Sequence, residues 1–289
     1  MTPIDLIQPF IDFAFMRRAL SGCLILSLST APVGVFLMLR RLSLTGDAMA
    51  HAILPGAACG YLLAGLNLYA MTAGGIVAGL VVATLSSLVA RATPLKEDTS
   101  LATFYLMSLA LGVIMVSLRG SSVDLMHILF GSVLALDDTA LAFIATIASI
   151  TIVVFAIVWR LLVMECIDPG FLRVLRGGGA TAHFAFMGVM VLNLVAGYQA
   201  LGTLLSVGLM VLPAAAARFW TRRIGGMIAA AAAIAMLSSA LGLILSYFWR
   251  LPSGPAIIAV ASAIYLASVL AGSVGGVLTS RLAFRHRSG

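Results

Sequence analysis

The sequence predicts an all-α protein, a polytopic transmembrane helix bundle of about nine spans, or eight if the first is drawn differently. Three observations predict it. Of 289 residues, 62% are hydrophobic and 9% charged, against about a quarter charged in an ordinary soluble domain. The apolar residues fall in runs close to the roughly 20 residues that a helix needs to cross a hydrocarbon core of about 30 Å. The remaining charges stand mostly singly or in pairs between those runs. No long stretch is polar enough to cover a soluble domain, so residues 1–289 are expected to form a single transmembrane domain, with the break at 163–179 a cytoplasmic loop within it.

The runs are Leu20 to Leu39, Leu44 to Ala64, Leu68 to Ala90, Ser100 to Leu118, Thr139 to Leu162, Ala182 to Tyr198, Leu201 to Ala217, Gly226 to Trp249 and Pro255 to Leu278. With the N-terminus outside, the alternating loops put thirteen of the 17 basic residues in the cytoplasm, among them Arg40, Arg41, Arg91, Lys96, Arg218, Arg222 and Arg223. Arg17, Arg18, Arg119 and Arg250 fall outside, a bias in the direction of the positive-inside rule. Arg17 and Arg18 also fit an amphipathic helix on the inner interface, which gives the eight-span drawing. The N-terminal segment holds Asp5 and Asp12 and lacks a basic start before an apolar core. No cleavable signal peptide is expected, and the spans direct insertion into the cell (inner) membrane. Gly74, Gly75 and Gly79, and the run Ala229 to Ala233, let helix backbones approach closely. Pro32, Pro55 and Pro213 interrupt the backbone ladder inside spans, which is tolerated where a helix lines a cavity or packs on protein. Cys23, Cys59 and Cys166 are scattered and form neither a disulfide framework nor a thiolate zinc motif. The net charge of +7 has no basic stripe behind it, so it speaks for topology and against nucleic acid.

Ionisable side chains at membrane depth are expensive and face a cavity or a partner. Asp47 and His51 are four apart, a spacing that puts both on one helix face where a carboxylate oxygen and an imidazole nitrogen can reach one ion. Such a donor set without thiolate suits zinc, manganese or ferrous iron better than copper(I). The alternative is that Asp47 N-caps the span and His51 hydrogen-bonds within the bundle. Glu97 and Asp98 follow Lys96 at the same cytoplasmic level, as further ligand candidates or as acids that complement a helix N-terminus. Asp124 and His127 belong to an outward loop, His183 to an interfacial position and His286 to the basic tail. In the long inner loop, Asp168 as N-cap, Pro169 at the first helical position and the glycines after Arg176 predict a short cytoplasmic helix. Phe171, Leu172 and Leu175 form its apolar side, facing a partner or the membrane surface. Lys96 is the only lysine and no glycine pattern precedes it, so the chain has no phosphate-binding loop. Nucleophile-elbow and His-Glu-x-x-His motifs are also missing, and no enzyme activity is expected.

The segment from Arg40 to Gly56, Arg-Arg-Leu-Ser-Leu-Thr-Gly-Asp-Ala-Met-Ala-His-Ala-Ile-Leu-Pro-Gly, resembles the signature of the zinc/manganese/iron ABC-importer permeases. Glu97-Asp98-Thr99, Leu129 to Leu134, Gly208 to Arg218 and Leu251 to Pro255 resemble the family's later blocks in order, so the resemblance runs through nearly the whole chain. It implies a type II-like ABC importer permease that works as a homodimer or pair. A cytoplasmic ABC ATPase subunit drives it and an extracytoplasmic metal-binding protein supplies it. The resemblance assigns metal ligation to Asp47, His51 and Glu97, with Asp98 beside them, and ATPase coupling to Asp168, Pro169, Phe171, Leu172, Arg173 and Leu175. Gly170 and Leu172 depart from the family, which usually has an acid and an alanine there. No cofactor is implied beyond the divalent cargo, with zinc favoured by family frequency over manganese and iron. The rival from residue chemistry alone is a proton- or sodium-coupled secondary metal transporter, which ATPase co-purification discriminates.

Overall fold

A segment crossing lipid has to satisfy its own backbone, and in the computed structural model the chain does so with helices throughout the membrane-length segments. The structure describes residues 3–65, 67–118, 133–167 and 178–278. Ten α-helices occur there: α1 (Pro3–Asp12), α2 (Ala14–Leu39), α3 (Ser43–Ala64), α4 (Leu68–Ala92), α5 (Glu97–Leu118), α6 (Asp138–Ile167), α7 (Gly178–Leu201), α8 (Thr203–Ala217), α9 (Ile224–Trp249) and α10 (Ser253–Ala271). Each of the nine expected runs falls on one of α2 to α10. Seven of these are long and apolar enough to cross a membrane, and α8 is a shorter apolar helix. The remaining one, α3, is the helix that carries Asp47 and His51.

Two details depart from expectation. The last span ends at Ala271 rather than Leu278, although the residues that follow stay apolar. Gly272 caps the helix, Gly275 takes a left-handed φ of 79°, and the Val274 N–H donates to Phe219 O at 2.8 Å. The chain therefore turns across the end of α8 instead of continuing. At the other end of the molecule, Arg17 donates to Ile11 O at 2.7 Å and Arg18 pairs with Asp138 at the start of α6, Nε to Oδ1 2.8 Å. Arg40 pairs with Glu165 near the end of the same helix. Arg17 and Arg18 thus lie at the end of the bundle opposite Arg40.

Packing follows the small residues and the aromatics. A Cβ placed on Gly56 would overlap the carbonyl oxygen of Gly74, and one on Gly74 would overlap that of Gly56. The backbones of α3 and α4 are therefore in direct contact, as small-residue interfaces in membranes permit. Because backbone cannot step aside, Gly56→Val is expected to part these helices, costing at least the roughly 1–3 kcal/mol typical of overpacking. A lowered melting temperature in detergent checks this, and an unchanged one would refute the contact. On the inner half, the Phe36 ring lies 5.6 Å from Phe155, 5.7 Å from Trp159 and 6.4 Å from Phe186, joining α2, α6 and α7. Asn193 donates to Thr151 Oγ1 at 2.7 Å between α7 and α6, a polar contact that lipid cannot compete for.

Candidate ion site

The candidate site is set by how α2 hands over to α3. Arg41 adopts a left-handed φ of 60°, and the Leu42 N–H reaches back to Leu37 O at 2.8 Å while its side chain is buried. This tight turn starts α3 at Ser43, with Leu42 in the capping position. Asp47 is consequently one turn inside the helix and does not cap it, which removes the capping alternative. Met49, Ala52 and Ile53 form the buried face of α3. Leu44, Asp47 and His51, at spacings of three and four, form a partly exposed stripe on the other side, where the Asp47 side chain is 67% exposed and that of His51 half-buried at 35% in the single chain.

Asp47 Oδ1 stands 3.9 Å from His51 Nε2, too far for a hydrogen bond. Metal bonds to such donors run about 2.0–2.2 Å, so one ion between them can touch both. A carboxylate on a span does not face hydrocarbon. The exposed stripe therefore fits a watered passage or another protein surface. Two donors from one chain leave most positions around a divalent ion for water or further residues.

Glu97 and Asp98 sit in the first turn of α5, where their charges complement the helix N-terminus. Glu97 Oε1 lies 3.2 Å from His183 Nε2, and Asp98 is exposed. Among the described residues no three or more His, Cys, Asp or Glu side chains converge on one ion position, so within a single chain Glu97 forms no three-donor group with Asp47 and His51. Asp168, Pro169, Phe171, Leu172, Arg173 and Leu175, like Asp124, His127 and His286, lie outside the described residues.

What sequence reading missed is the polar cluster behind the turn. Arg40 bonds Glu165 and donates through Nη2 to His183 Nδ1 at 3.2 Å. Its guanidinium also lies 5.0 Å from the centre of the Phe186 ring. Arginine has no lone pair to accept with, so His183 Nδ1 is the acceptor. The imidazole proton then sits on Nε2, 2.8 Å from Ser87 Oγ. His183, expected at an interface, is instead buried. The Arg40 and Glu165 side chains are 8% and 15% exposed. Together these contacts join the inner ends of α2, α4, α5, α6 and α7 immediately before the helix that carries Asp47. The one signal within the sequence was Glu165, an acid at the end of a long apolar run.

Comparison with known proteins agrees with this architecture. The manganese import system permease protein ScaB of Streptococcus gordonii is 31% identical over 264 residues, covering 91% of this chain and 94% of that protein. The chelated iron transport system membrane protein YfeC of Yersinia pestis is 28% identical over 276 residues, covering 96% and 92%. Among solved structures, PsaBC from Streptococcus pneumoniae in complex with Fab superposes with a TM-score of 0.83 at 28% identity, covering 97% of this chain and all of the matched one. Residues 12–272 match the family described as ABC 3 transport family. The chain belongs to that family, as a multi-pass membrane permease of the metal-importing ABC systems.

Proposed function

We propose that this permease moves manganese or ferrous iron into the cell by alternating access, with Asp47 and His51 holding the ion briefly on its way. The observation that carries the reading is the carboxylate and imidazole pair of α3, 3.9 Å apart, with Asp47 exposed and His51 half-buried on a helix whose other face is buried. A second copy of the chain faces the first across this stripe and supplies the missing donors. A separate ATPase docks through the segment Asp168 to Arg176, since the chain has no phosphate-binding loop of its own. An extracytoplasmic binding protein delivers the ion. Glu97 and Asp98 line the inner exit as acids, Glu97 through its contact with His183.

The choice of ion rests on donor chemistry and on the relatives, which are named for manganese and for chelated iron. Carboxylate with imidazole accepts manganese, iron and zinc alike, and selectivity follows from geometry. The deciding experiment is ATP-dependent uptake by the reconstituted permease and ATPase, offered the three metals in competition and read by elemental analysis. We expect manganese to accumulate at least tenfold over the ATP-free control, and to do so with proton and sodium gradients collapsed. Accumulation of zinc ahead of manganese would restore the ion that the sequence resemblance favoured. Uptake that follows an ion gradient without ATP would replace the importer reading with the secondary-transport one.

A further inference from the structure

The charge of this chain is divided unevenly along its length. Its ten acidic residues all lie at or before Asp168, while Arg218, Arg222, Arg223 and Arg250 follow in α8 to α10 and their turns without an Asp or Glu among them. The described residues form four ion pairs, and none involves Arg218, Arg222 or Arg223. The segment after Leu278 adds three more arginines and no Asp or Glu, so it supplies no acidic side chain.

Two of these arginines share a recess of about 480 Å³ with Leu39, Phe219, Met227 and Val274, within the range of about 300–1,000 Å³ seen for small-ligand sites. Leu39 ends α2 one residue before Arg40, so the recess opens at the inner end of the bundle, where basic residues gather. Among the described residues no carboxylate lines it. Beside it, Trp220 is 48% exposed while its indole N–H donates to Ser268 Oγ at 2.9 Å, an arrangement that suits the membrane boundary. Guanidinium groups pair with phosphate oxygens in a two-pronged geometry, and the surrounding apolar side chains match acyl chain. An acidic protein partner would use the arginines but leave the apolar walls bare.

We propose that this recess binds the phosphate of an anionic phospholipid of the inner leaflet, held by Arg218 and Arg222 with the first acyl carbons against Leu39, Phe219, Met227 and Val274. The site is independent of which ion is carried. The test uses the whole permease, purified in mild detergent and titrated with phosphatidylglycerol or phosphatidylcholine, with bound lipid counted by native mass spectrometry. Phosphatidylglycerol is expected to bind more tightly than phosphatidylcholine. The double variant R218Q/R222Q should weaken it roughly thirtyfold, following from about 1 kcal/mol per basic residue near a membrane surface. Arg250→Gln, at the other end of the bundle, should change nothing. Both target arginines are exposed, so the double variant is expected to fold, and R218K/R222K, which keeps the charge, should recover much of the affinity. Equal retention of phosphatidylglycerol by the double variant would overturn the proposal. So would equal binding of the two lipids, displacement of the lipid by millimolar inorganic phosphate, or an ATPase that dissociates from the double variant while lipid binding persists.

Discussion

In proteoliposomes holding the permease with its ATPase, Asp47→Asn is expected to lower metal uptake by about a hundredfold or more. Loss of even an outer-shell partner typically costs 10–100-fold in metal affinity or activity, and here the proposed ion ligand itself is removed. Asparagine keeps the size of the side chain, and Asp47 caps no helix end, so chiefly the negative charge is lost. His51→Ala is expected to match it, because an ion that bridges two donors 3.9 Å apart loses its hold when either is gone. Both side chains stand on the side of α3 away from its buried face, Asp47 exposed and His51 half-buried, so both variants should insert and melt like the parent. Normal uptake by either one would remove that residue from the pathway, and a parallel fall in melting temperature would assign it to packing instead.

Arg40→Gln is expected to have the largest effect on stability. It leaves Glu165, 15% exposed at its side chain, with no cation against it, and breaking one partner out of a buried pair costs about 3–5 kcal/mol. Glu165→Gln should cost less, because the freed guanidinium keeps its contacts with His183 and the Phe186 ring. The informative variant is R40Q/E165Q, in which no charge of the pair remains unmatched. It should regain most of the melting temperature lost by Arg40→Gln, a non-additive result of the kind expected for directly paired residues. Additive losses would mean that the two side chains act separately and that the pairing is not what joins α2 to α6.

How much of this was legible in the sequence depended on whether the signal lay within one segment. The spans were, because a run such as that within α9 declares its membrane length residue by residue. Asp47 and His51 were, because a four-residue spacing on one helix fixes their relation without any tertiary knowledge. The Arg40 cluster was not. Its members come from five helices, with Arg40 and His183 separated by 143 positions, and only packing brings them together. The end of α10 was misjudged for a different reason. Apolarity measures preference for lipid, whereas the helix stops on backbone grounds, at Gly272 and the left-handed Gly275.

The two arginine pairs between α2 and α6 are unequal, and that has mechanical content. The pair of Arg18 with Asp138 is 43% and 78% exposed, a class that contributes about 1 kcal/mol or less, whereas the pair of Arg40 with Glu165 is sheltered and has the Phe186 ring against its guanidinium. Two rods stapled firmly at one tip and loosely at the other behave as tongs. They resist sliding lengthwise, and when pushed they splay at the looser tip. The end of α2 and α6 held by Arg40 and Glu165 is therefore the firmer joint, and the end held by Arg18 and Asp138 the one that parts more readily.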